Sequence, residues 1–143
     1  MLYYTRWAGL PAGLTITSGN WGRLVLGNGP QHSWFYRECV WELVREAAAP
    51  HAVSRLACAF VFDDLQVARR HGASTNEIAY EVTLAQPEKP KTRVDMAWIS
   101  AVRIAHSTAE VRALAANYWT GQPSGTPEWE LLTESNLILG NPA

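Results

Sequence analysis

The chain holds few cysteines: Cys39 and Cys58 are the only two in 143 residues. They have no paired spacing, which excludes a zinc cluster of cysteines and makes a reducing compartment the default. Both stand in apolar contexts and read as small core residues. Charge of one sign is also lacking, since 12 basic residues against 13 acidic ones leave a net charge of -1. No global basic field therefore draws the chain to nucleic acid or to anionic lipid. No apolar run approaches the roughly 20 residues of a membrane span. The opening Met1-Leu2-Tyr3-Tyr4-Thr5-Arg6 is not a signal peptide. The expectation is a soluble, cytoplasmic protein with no membrane partner.

Missing motifs narrow the chemistry further. The glycine-rich stretch from Gly9 to Pro30 is not a phosphate-cradling loop, because no lysine followed by serine or threonine closes it. No Gly-x-Ser-x-Gly elbow is present, and His32, His51, His71 and His106 fall in loops or at helix ends, without a nucleophile to serve. No two ligands stand at a helical or hairpin spacing that suits a metal.

Aromatic residues are abundant, with seven tryptophans and five tyrosines. Some must pack a core, and others are free to line a pocket for a planar ligand. The length suits one domain, residues 1–143, able to bury a core without disulfides.

Local patterns predict the elements. Leu2 to Trp7 is aromatic and β-branched and reads as a first strand. Gly9 to Pro30 reads as a long loop, with a brief strand at Leu24 to Leu26 as an option. Ser33 is a candidate N-cap for a helix to about Ala49, with Phe35, Cys39, Val40, Leu43, Val44 and Ala47 as its apolar face. Glu38, Glu42, Arg45 and Glu46 then face solvent, where Glu42 and Arg45 can pair. Val53 to Phe62 is the most apolar run and reads as a central strand. Asp63 or Asp64 caps a following helix that Gly72 ends. Glu77 to Leu84 is a strand, and Val94 to Ile99 suits either a strand or a helix start. Ser107-Thr108-Ala109-Glu110 has the capping pattern of a helix reaching Trp119. Asn136 to Leu139 is a last strand. With no βαβ signature, the expected class is α+β, with a mixed, mostly antiparallel split sheet and flanking helices.

Glu128 and Glu130, in Pro127-Glu128-Trp129-Glu130-Leu131-Leu132, are one residue apart and share a face if the segment is extended. Two readings stand side by side: a pair of solvated glutamates at a sheet edge, or two carboxylates of an active site.

In chain order, Arg6, then Ser54 with Arg55, then Glu128-x-Glu130 is an arginine, serine, glutamate-x-glutamate series. On these residues the sequence resembles the ADP-ribosyltransferase superfamily, in its arginine-serine-glutamate, toxin-like branch, and a small prokaryotic group of that fold. Ile78-Ala79-Tyr80-Glu81-Val82 and Asn117-Tyr118-Trp119 add short matching stretches. The resemblance implies an ADP-ribosyltransferase-like fold and NAD as substrate. It implies that Glu130 faces the sugar cation, that Ser54 orients it, and that Arg6 grips the cofactor's phosphates. Glu128 then receives the acceptor, and Trp21 or Tyr80 stacks on nicotinamide, with core packing as the other role for either aromatic.

The branch's serine-threonine-serine pattern is reduced here to Ser54-Arg55-Leu56, which offers Arg55 as a second phosphate ligand. Tyr4 stands where the other branch of the superfamily has a histidine. The activities implied are mono-ADP-ribosyl transfer to a protein arginine or a nucleic-acid base, as a toxin or effector with an antitoxin or immunity partner. NAD hydrolysis, or a non-catalytic binding domain of the same fold, are the alternatives.

Overall fold

The β-branched and aromatic residues at the start form β1 (Leu2–Arg6), and the rest of a computed structural model describing residues 1–143 is arranged about it and one long antiparallel neighbour. In chain order there follow β2 (Thr15–Ile16), α1 (Asn20–Asn28), a short 3-10 turn (Gly29–Gln31), α2 (Phe35–Ala48), β3 (Ala59–Val61), α3 (Leu65–Thr75) and β4 (Ile78–Leu84). The chain continues through β5 (Lys91–Asp95), α4 (Ala97–Ser100), α5 (Thr108–Trp119), β6 (Trp129–Thr133) and β7 (Leu137–Pro142). The architecture is α+β, with all strand pairs antiparallel and the sheet split in two.

One sheet has the order β1-β4-β7-β2 and the other β3-β6-β5. A single bridge joins them, where Tyr3 and Phe62 exchange both backbone hydrogen bonds at 2.8 Å. The larger core packs Trp41 of α2, Tyr118 and Trp119 of α5, and Phe62, Val94 and Leu132 behind the second sheet. The smaller one sets Ile16, Tyr80, Val82, Leu137 and Leu139 against Ala59 and Val61. Full burial of each large apolar side chain contributes about 1.5–3 kcal/mol, so these two clusters fix where the sheets part. No helix is long and apolar enough to cross a membrane.

Several local expectations hold. Asp64 caps α3, accepting the N–H groups of Gln66 and Val67, and Ser107 with Glu110 forms a reciprocal capping box on α5. Glu42 pairs with Arg45 at 2.6 Å. The ambiguous Val94 to Ile99 segment is both things in turn, the end of β5 and then α4.

Others are corrected. The segment expected as a loop from Gly9 to Pro30 contains α1, because Gly22 lets that helix press onto the backbone of Leu56, where a Cβ would lie 1.9 Å from the carbonyl oxygen. The apolar run from Val53 to Phe62 is a strand only over Ala59–Val61. Before that its polar backbone groups are spent elsewhere: the Val53 N–H donates to Thr92 Oγ1, the Leu56 N–H to Ser54 Oγ, and Gly19 donates to the Cys58 carbonyl. Gly72 lies inside α3 rather than ending it, since a side chain there would meet the Glu77 carbonyl at 2.8 Å; Asn76, with φ 58°, makes the left-handed stop. Ser33 is not the cap of α2, whose first helical residue is Phe35. That helix is also rotated from the expected phase: Glu38 and Trp41 are buried, whereas Leu43 is 65% exposed.

Candidate functional site

The parting of the two sheets leaves a cleft of about 760 Å³, a volume ordinary for a small-molecule or cofactor site. β1 supplies Tyr4, Thr5 and Arg6 to one wall, α1 supplies Asn20, Trp21 and Leu24, and Phe60 and Glu130 come from β3 and β6. Arg55 and Cys58 enter from the loop before β3, and His71 from α3.

Glu130 is 4% exposed. Its Oε1 takes hydrogen bonds from Arg55 Nη1 at 3.2 Å and the Tyr118 hydroxyl at 3.3 Å, and Arg55 Nη1 also donates to that hydroxyl at 2.7 Å. Oε2 has no such partner and belongs to a residue that lines the cleft. Burial pushes the Glu130 carboxyl above its usual range, against the opposing pull of Arg55. Buried Tyr118 is likewise raised well above the usual phenol, chiefly by burial.

Arg55 is held from its other edge by Glu38: Nε lies 3.1 Å from Oε2, and Nη2 is 3.2 Å from Oε1. The Trp21 indole N–H donates to the same Glu38 Oε1 at 2.9 Å. Burial raises the proton affinity of Glu38, but Arg55, Arg37 and Trp21 together outweigh it and hold the carboxyl below its usual range. Burial opposes the charge on Arg55, yet Glu38, Tyr118 and Glu130 keep it firmly protonated. A buried charge needs partners of this kind, and here one guanidinium serves two carboxylates.

The structure brings together Tyr4, Arg6, Trp21, Arg55 and Glu130. Arg6 stacks its guanidinium 3.8 Å over the ring of Trp7. Tyr4 is half-buried, and its phenol is raised by burial. Three residues singled out in the sequence do not line the cleft. Ser54 donates its hydroxyl to Glu42 at 2.8 Å, so orientation of Glu130 falls to Arg55 and Tyr118. Tyr80 is fully buried, its hydroxyl bound between the Trp7 carbonyl and the Leu10 N–H, which removes it as a stacking platform. Glu128 precedes β6 and faces outward, 3.8 Å from Arg70.

Glu38, Tyr118, Phe60 and His71 were not singled out for the site from the sequence. Glu38 sits among the charged residues of a helix face that reads as solvated, and the structure buries it together with Trp41, three positions on. No group of histidine, cysteine and carboxylate side chains is placed to hold a metal ion. No protein-family model matches the chain, and no curated protein matches it.

Proposed function

We propose that the chain is an NAD-dependent mono-ADP-ribosyltransferase working in this cleft. The observation that carries the proposal is Glu130: a buried carboxylate with one oxygen bonded by Arg55 and Tyr118, the other unbonded, in a cleft that also presents Arg6 and Trp21. Breaking the bond from nicotinamide to ribose builds positive charge on the sugar, and a carboxylate fixed beside it stabilises that charge without reorganising. The leaving nicotinamide keeps the bonding electron pair and departs neutral. Arg6 grips the diphosphate through its fork of donors, with Tyr4 and Trp21 as aromatic contacts for the rings. Acting as a toxin or effector, such an enzyme works against a macromolecular acceptor and is held by an antitoxin or immunity protein in the producing cell.

NAD hydrolysis is the second reading, favoured by one position. Glu128, which the resemblance makes the receiver of the acceptor, does not line the cleft and stands beside Arg70, which removes the assigned acceptor contact, whereas hydrolysis needs none. The test is incubation with NAD labelled on the adenylate, with and without cell lysate, following nicotinamide release and the label. Label on a macromolecule supports transfer, and free ADP-ribose supports hydrolysis. Glu130→Gln should release nicotinamide about 10²–10³-fold more slowly than wild type. No release from wild type, or equal release from the variant, overturns the enzymatic assignment and leaves a non-catalytic binding domain.

A further inference from the structure

A second chamber of about 500 Å³ adjoins the cleft and shares Trp34 and Arg37 with it. Its remaining walls are Ser33, Val102, Arg103 and Ile104, between the start of α2 and the connection from α4 to α5. It contains two guanidiniums and no carboxylate. Arg37 sets its guanidinium over the Trp34 ring, 4.0 Å from its centre; its Nη2 pairs with Glu38 at 3.2 Å, and its Nε is buried with no hydrogen-bond partner. Arg103 is anchored through Nη1 to the Ser100 and Val102 carbonyls at 2.7 and 3.0 Å, which fixes the cation without neutralising it. Trp34 is 42% exposed and Ile104 stands fully in solvent.

We infer that this chamber is the acceptor subsite and takes a phosphate-bearing single strand of nucleic acid, with phosphates on Arg37 and Arg103 and a base against Trp34. The inference rests on the assignment of the neighbouring cleft to NAD. An acceptor arginine on a protein is disfavoured here because the walls hold Arg37 and Arg103, and Glu38, the carboxylate paired with Arg37, is already shared with Arg55. Guanidiniums beside an aromatic face are the means by which proteins hold single strands without reading their sequence. The balanced net charge of the chain is no obstacle, since the two cations act locally.

The test is fluorescence anisotropy of a dye-labelled oligothymidylate with the full chain. Two neutralised phosphates at a slope of about −0.7 each predict that affinity falls about sevenfold for a fourfold rise in salt. Arg103→Glu should weaken binding about tenfold or more and flatten that slope, and Trp34→Ala should weaken binding with the slope retained. Melting curves check that both variants fold; the Arg103 side chain hydrogen-bonds only to the backbone carbonyls of Ser100, at the end of α4, and Val102. Equal binding by Arg103→Glu and wild type overturns the inference. So does displacement of the strand by ADP-ribose, which would make the chamber part of the NAD site, or preference for an arginine-rich peptide. Nicotinamide release without any strand is measured in parallel. Release with no strand binding overturns the chamber alone, whereas Arg103-dependent strand binding with no release overturns the enzymatic assignment and leaves the chamber standing.

Discussion

Glu38 and Glu130 share the guanidinium of Arg55, and their proton affinities are displaced in opposite directions. Glu38 takes more of Arg55's donors and adds Arg37 and Trp21, while Glu130 keeps one arginine nitrogen and a phenol. Two carboxylates pushed apart in this way suit two tasks, Glu38 as the standing counter-ion of Arg55 and Glu130 as the one that takes a proton more readily.

The first prediction concerns pH and stability. Glu38 is lowered on folding, so its contribution is present above the unfolded carboxylate value and is lost as pH falls through the folded one. Glu130 is raised, so the contribution of its protonated form is present below the unfolded value and is lost as pH rises through the folded one. Glu38→Gln should therefore cost about 3–5 kcal/mol at neutral pH, as expected for breaking a buried ion pair. Glu130→Gln should melt at or above the wild-type temperature at mildly alkaline pH. Calorimetry across pH checks both signs. In the proposed enzyme, nicotinamide release should fall on acidification through a value above the ordinary carboxylate range, and the fall should vanish in Glu130→Gln.

A second prediction separates two glycines of α1. Gly22→Ala places a methyl group 1.9 Å from the Leu56 carbonyl oxygen, and backbone cannot swing aside as a side chain can. The loss should reach or exceed the roughly 1–3 kcal/mol of ordinary overpacking and, in the proposed enzyme, weaken NAD binding because Trp21 is the preceding residue. Gly27→Ala meets nothing within 4 Å and should stabilise by about 0.4–1 kcal/mol. Urea titration of the two variants decides, and similar shifts in both would contradict the packing of α1 on Leu56.

The third prediction concerns Asp95, fully buried at the end of β5. Its carboxylate accepts the N–H groups of Ala97, Ser124 and Glu128, tying the loop before β6 to the sheet. Burial opposes its charge, but these donors together hold its carboxyl below the usual range. The contribution is therefore present above the unfolded value and is lost as acidification passes the folded one. Asp95→Asn should cost about 1–3 kcal/mol at neutral pH and open the loop around Ser124 to limited proteolysis. Unchanged protease resistance would show that the loop is held by other contacts.

Much of this was legible in the residues because it depends on neighbours in sequence. Asp64 and the pair Ser107 with Glu110 cap their helices as local chemistry dictates, and the strand read over Glu77 to Leu84 is β4. The misread parts depend on distant partners. Nothing near Glu38 announces that Arg55, seventeen positions on, needs a buried counter-charge, so a charged helix face read as solvated. The apolar run from Val53 to Phe62 suits a strand, but the close approach of α1 through Gly22 turns its first half into a loop. Tyr80 and Trp21 are equivalent as aromatic residues in a sequence; one is sealed in the core and the other lines the cleft. Arg6, Arg55 and Glu130 come together because each lies at or beside a strand bordering the gap between the sheets.

That gap has a mechanical consequence. Arg6 belongs to one sheet and Glu130 to the other, and in the strand ladders the sheets are stitched only by the reciprocal pair at Tyr3 and Phe62. The separation between the Arg6 guanidinium and the Glu130 carboxyl is therefore a property of that seam rather than of either sheet. Protection of the Tyr3 and Phe62 amides from hydrogen exchange reports the seam directly, and a molecule spanning the cleft should slow their exchange before it stiffens either sheet.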